Sequence, residues 1–270
     1  MTTTEIPELR IALGPAAEAV NRAGRRLVEL IASADDPATP VQGLAWTLQE
    51  LAAHLAARTE RFSATLSGDA MPDDALADMA AENEREILAR SDRPLEDHVD
   101  AFHSNVASFV GTTKGKLAAD PFPWYPGVTV DVATGTGLLL AELLVHGFDV
   151  ARTLDRRWTI GEADARTVVR ASAIVAPHYV DAEAARGVCS TYRFRVRGGP
   201  TFRIRIEDGT ASTLPSDGEA DCTIRARPAA LVLVSYGRLG PWRAALTGKL
   251  LASGRRPWRA ATFDRMFRSP

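Results

Sequence analysis

Residues 128–150, VTVDVATGTGLLLAELLVHGFDV, can be read in two ways, and the choice decides the fold. In the first reading an apolar strand runs into a Gly-x-Gly turn at Gly135 and Gly137, a helix comes next, and a second strand ends in Asp. That is the opening βαβ unit of a doubly wound S-adenosylmethionine methyltransferase, with the glycines cradling a ligand at a helix N-terminus. In the second reading most of the stretch is one helix, from about Gly137 to Leu154. The rest of the chain favours the second. The segments before it are helical in pattern, and those after it lack the alternating strands and helices that a doubly wound sheet requires. A dinucleotide fingerprint is weaker still, because Leu140 stands where its third glycine would be.

On a helix, Glu142 and His146 are four apart and project from one face. Their neighbours Leu138, Leu139, Leu140, Leu143, Leu144, Val145 and Phe148 are apolar. Burying either polar group there without a partner costs about 2–7 kcal/mol. A divalent metal would supply the compensation, and a ligand from another helix would complete a three-residue set. His54 is that candidate, and open sites of the His₂Glu type are catalytic rather than structural. Each residue also has a plainer reading: His54 as a hydrogen-bonded core histidine, Glu142 with His146 as a surface pair. Asp149, three residues after His146, is either an acceptor that orients the imidazole or a helix-surface partner of Arg152.

Working outward, the first 180 residues read as helices. Pro15 suits a first helical turn, and apolar residues recur at Val20, Leu27, Leu30 and Ile31. Thr47 with Glu50 makes a capping box, and Trp46 with Leu51 a hydrophobic staple. The helix they start should run from Leu48 to about Leu66, with His54 in its second turn. The loop SGDAMPDD leads to a third helix ending near Arg90, and Pro94 opens a fourth bearing Val99, Phe102, Val106 and Phe109. Residues 120–134 read as a long aromatic and Pro-rich connection before the Glu142 helix. The stretch EADARTVVRASAIVAPHYV then closes the first unit. Four main helices with a long crossover make a bundle, whose core can host a metal site built from facing helices.

After residue 188 the period changes to two. Tyr192, Phe194, Val196, Phe202, Ile204 and Ile206 alternate with Arg193, Arg195, Arg197, Arg203 and Arg205 around Gly198-Gly199-Pro200, a β-hairpin with one buried face. A strand at DCTIRA, a helix at about Pro228–Tyr236, a short strand near Leu250–Ala252 and a final amphipathic helix ending at Phe267 complete an α+β unit. From residue 190 onward there are 15 Lys and Arg against 6 Asp and Glu, although the whole chain carries −2. The asymmetry marks two units with different surfaces. The arginine face reads as solvated; nucleic-acid binding would want aromatics interleaved with the arginines, and here they fall on the buried side.

With 46% hydrophobic and 24% charged residues the chain reads as globular. No apolar run reaches the length of a membrane span, and MTTTEIPELR has no secretory pattern. Cys189 and Cys222 make no disulfide framework, so a cytoplasmic location is the default expectation. His98, His103 and His178 show no ligand spacing with the trio and read as structural.

The segments WTLQELAAHLA, AENEREILARSDRP and GLLLAELLVHGFDVARTL resemble the mycothiol-dependent maleylpyruvate isomerase family, and EADCTIRARPAALVLVSYGRL with WRAALTGKLLASG resembles its sterol-carrier-like C-terminal domain. The resemblance implies a DinB-like four-helix bundle over residues 1–182 and a small α+β domain over 183–270. It places the family's metal triad on His54, Glu142 and His146. It further implies a zinc-type centre binding the thiol of mycothiol, the small thiol of actinobacteria, and an isomerase or S-transferase acting on a small electrophile. An arginine that pairs with substrate or thiol carboxylates is expected near the site, and Arg85, in the Asn83-x-Arg85 stretch of the third helix, is the candidate; its plainer reading is an exposed helix charge. Two other functions remain open. A metal-dependent hydrolase would use the trio on water, and a non-catalytic carrier would bind an apolar ligand among Leu231, Leu233, Val234 and Leu246.

Overall fold

A computed structural model of the protein describes residues 6–71 and 78–268. Its backbone groups into two compact units: Ala12–Thr159, and Ile160–Pro270 together with Met1–Ile11. The loop SGDAMPDD runs past Met71 into residues outside the described ones.

The first unit is a helical bundle. Its long helices are α1 (Leu13–Ala32), α2 (Leu48–Ser67), α4 (Leu95–Thr113) and α5 (Val132–Thr153), with the shorter α3 (Met79–Leu88) beside α2. α1 packs on α4 and α5, and α2 packs on α4. α5 is central: Leu139, Leu140 and Leu143 have essentially no exposed surface, and apolar residues bury nearly all round it. A helix apolar on every side belongs inside a bundle. The expected capping box is present at α2, where the Glu50 amide donates to Thr47 Oγ1 at 3.2 Å and the Thr47 amide to Glu50 Oε2 at 2.7 Å.

The connection before α5 is more ordered than the sequence suggested. β1 (Pro121–Tyr125) and β2 (Val128–Asp131) form an antiparallel hairpin around Pro126-Gly127. Gly127 has φ +76°, as the third residue of a type II turn requires, after proline at the second. Phe122, Trp124 and Tyr125 are buried, and the hairpin packs on α5 and α2. β2 runs straight into α5, where Asp131 Oδ1 accepts from the Thr134 amide at 2.6 Å. The helix therefore begins five residues before the expected Gly137, with both glycines inside it. At Gly135 an added Cβ would sit 2.8 Å from the Phe122 ring, so this glycine admits an aromatic ring rather than cradling a ligand.

The second unit is built on a five-stranded mixed sheet in the order β5-β4-β3-β6-β7. Its strands are β3 (Cys189–Val196), β4 (Thr201–Glu207), β5 (Thr210–Leu214), β6 (Cys222–Ala226) and β7 (Leu250–Ser253). β3 and β6 are parallel and the other neighbours antiparallel. The expected hairpin has Arg195 opposite Thr201, with Tyr192, Phe194, Val196, Phe202, Ile204 and Ile206 all buried. Helices α7 (Pro228–Ser235) and α8 (Pro241–Leu246) precede β7. Three expectations change here. α6 (Glu162–Val175), read as the last helix of the bundle, groups with the sheet and packs on α7. β5 adds a strand that the polar stretch TASTL did not announce. The closing amphipathic helix is instead two short 3₁₀ turns, Pro257–Thr262 and Asp264–Met266, which seat Phe263 against Tyr192 and Phe194. None of the helices among the described residues is long and apolar enough to cross a membrane.

Candidate functional site

The capping box fixes where α2 starts and so which way its second turn faces. His54 points into the bundle and is 2% exposed, and the Trp46 ring lies against it with centroids 4.8 Å apart. From α5, Glu142 and His146 arrive one turn apart on the face opposite. His146 Nε2 is 3.4 Å from Glu142 Oε2, and His54 Nε2 is 3.9 Å from the same oxygen. One ligand atom from each of the three residues lies within 4.8 Å of the others. Two ligands held 2.0–2.1 Å from a tetrahedral ion are themselves about 3.4 Å apart, so the set needs only a small contraction to share one cation. Among the described residues no other group of three His, Cys, Asp or Glu side chains meets this condition.

The electrostatics suit that use. Burial pushes the His54 imidazole down to about 4, overriding the neighbouring Glu142, so it is neutral and its lone pair is available at neutral pH. Its Nε2 faces Glu142, and its Nδ1 is buried with no hydrogen-bond partner among the described residues. Burial works against ionisation of Glu142, but Arg58 and the two imidazoles hold its carboxyl well below the usual range. Burial likewise opposes a charge on His146, yet the carboxylates of Asp149 and Glu142 raise it. Asp149 has no exposed surface and places Oδ2 3.4 Å from His146 Nδ1. The Arg152 guanidinium reaches the Gln42 carbonyl.

Sequence reasoning missed Arg58, one turn after His54 on α2. It is 4% exposed, with Nε 3.5 Å from Glu142 Oε1 and a terminal nitrogen 3.3 Å from the Tyr125 hydroxyl. The signal was present: an arginine four residues after the histidine, among buried Leu55, Ala56 and Ala57. Arg85, the arginine expected to pair with substrate or thiol carboxylates, is exposed on α3. Beside Arg58 a small cleft opens between Arg61, Phe62, Phe122, Trp124 and Tyr125. His98 is buried on α4, His103 is exposed there, and His178 is exposed in the second unit; none belongs to the cluster.

Comparison with known proteins agrees with this architecture. The family described as the mycothiol maleylpyruvate isomerase N-terminal domain matches residues 17–151, which include all three clustered residues. The SCP-2 sterol transfer family matches residues 175–255. Two crystal structures share the fold over 90% of this chain and 93% of theirs. The mycothiol-dependent maleylpyruvate isomerase is 14% identical with a TM-score of 0.52, and a mutant of it is 13% identical with a TM-score of 0.54. Among curated proteins none matches by sequence. With the family's defining domain spanning half of the chain and the sterol-transfer domain after it, this protein belongs to the mycothiol maleylpyruvate isomerase family.

Proposed function

We propose that the protein is a metal-dependent, mycothiol-using isomerase or S-transferase acting on a small electrophilic substrate. The observation that carries the reading is the meeting of two buried imidazoles and one half-buried carboxylate within 4.8 Å. His54, Glu142 and His146 would hold a divalent ion of zinc type. When bound, such an ion lowers the pKa of a coordinated thiol, so that the thiolate forms at neutral pH. Asp149 fixes the orientation of His146, and the Trp46 ring walls the site against both imidazoles. A thiolate held there would suit addition to the double bond of a conjugated acid, rotation about the resulting single bond in the enolate, and collapse of the enolate to restore the double bond and release the same thiolate.

Thiol chemistry is favoured over hydrolysis by the two carboxylates at the site. Glu142 is a member of the trio and Asp149 is committed to the far nitrogen of His146, so neither is placed as a general base for water. The carrier reading loses support because Leu246 is 88% exposed on α8, whereas Leu231 is buried. The test is elemental analysis of protein purified without chelator. One zinc-type ion per chain is expected, lost in His54→Ala and in Glu142→Ala. Mycothiol added to the cobalt-substituted protein should raise a thiolate-to-metal absorption band. Metal-free wild type, or a band that never appears, would refute the proposal.

A further inference from the structure

We propose that Arg58 is a positioning residue for Glu142, holding one carboxylate oxygen so that the other faces the two imidazoles. The inference rests on the metal centre proposed above. The two oxygens of Glu142 have separate surroundings. Oε2 looks toward His146 Nε2 and His54 Nε2, at 3.4 and 3.9 Å, while Oε1 looks toward Arg58 Nε at 3.5 Å. One oxygen is thus directed to the site and the other is held away from it. The guanidinium is fixed in turn by the Tyr125 hydroxyl at 3.3 Å, the Met79 sulfur at 3.4 Å and the Phe62 ring, whose centroid is 5.9 Å away. Arg58 also shares its helix with His54, one turn along. The same segment therefore supplies one ligand and the restraint on another.

Restraining a ligand carboxylate matters because a free Glu side chain samples many rotamers and can chelate through both oxygens. Partners that orient metal ligands commonly contribute 10–100-fold in affinity. The competing effect has the opposite sign. A guanidinium close to a cation repels it, so if charge were what Arg58 contributes, its removal would tighten binding.

The experiment is competition of zinc between the apoprotein and a chromophoric chelator, with the visible spectrum of the cobalt-saturated protein as a second readout. Arg58→Met should weaken zinc binding by about tenfold or more and change the intensity of the cobalt bands. Arg58→Lys, which keeps a cation within reach of Oε1, should recover most of the affinity and so guards against a variant that merely folds poorly. Arg61→Met removes a neighbouring arginine that pairs with Glu82 and Glu86 rather than Glu142. It should leave affinity and spectrum as in wild type. Unchanged or tighter zinc binding in Arg58→Met would overturn the assignment while leaving the metal centre standing. Wild type that takes up neither zinc nor cobalt would overturn both.

Discussion

His146 has a carboxylate on each side, Glu142 at its Nε2 and Asp149 at its Nδ1, both at 3.4 Å. The first would share the ion with His146 and the second sets which way the ring faces, so the two should respond differently to mutation. Asp149→Asn keeps the shape but loses the charge that favours a proton on Nδ1. We expect zinc to bind about 10–100-fold more weakly, without the complete loss expected for Glu142→Ala. Isothermal titration would separate the two outcomes. A second carboxylate acts on stability. The Asp221 side chain accepts from the Thr191 amide at 3.0 Å, and that bond, with Arg256, Arg259 and Arg255 nearby, holds its carboxyl below the usual range against the effect of burial. Its stabilisation is therefore fully present above the ordinary carboxylate pKa and lost as pH falls toward the lowered folded value. Asp221→Asn should cost about 1 kcal/mol at pH 7. In urea melts the gap from wild type should close as the buffer is taken into the acid range.

At the scale of the element, α2 and α5 show what is written locally. The Thr47–Glu50 capping box and the Trp46–Leu51 pair are short-range patterns, and the helix they announce runs from Leu48 to Ser67, closed by Gly68 at φ +86°. Thr47→Ala should destabilise the fold by about 1 kcal/mol, read as a lower urea midpoint with an unchanged slope. For α5 the local signal misled. Two glycines in TGTG imply a turn by intrinsic preference, since each costs about 1 kcal/mol in a helix. Gly135 is tolerated because packing needs the space: Phe122 lies over it, and further along the helix the Trp158 ring fills the place that a Cβ of Gly147 would take. Trp158 also donates to the Leu144 carbonyl at 3.0 Å and stacks under Arg26. Gly147→Ala must displace that ring. A loss of about 1–3 kcal/mol is expected, with Trp158 fluorescence shifted to the red. The β1–β2 hairpin was legible in principle, from Pro126-Gly127 between two apolar runs. Its prolines argued for a loop, but an edge strand tolerates them.

For the whole molecule, metal binding and folding are linked. Three ligands from two helices come together only in the folded bundle, so an ion stabilises that unit by mass action, about 2.7 kcal/mol at a hundredfold excess over Kd. Chelation should lower the melting temperature of the wild type and leave Glu142→Ala unmoved. A scanning experiment in which EDTA shifts neither protein would contradict the coupling. The division into units was only partly legible. The change of hydrophobic period after residue 188 marks where the sheet begins, but α6, amphipathic like its predecessors, groups with the sheet that comes after it. Periodicity reports which face of a helix is buried and not what buries it.

The amino-acid sequence by itself determined the helical character of the first half, the start of α2, the paired Glu142 and His146 on one helix face, and the alternating strands of the β3–β4 hairpin. All of these rest on spacings of two to four residues along one segment. Tertiary structure decided that His54 lies beside the pair across 88 residues of chain, that Arg58 faces Glu142, and that α6 groups with the sheet. Contacts between distant segments depend on how whole surfaces pack, which spacings along one segment do not encode.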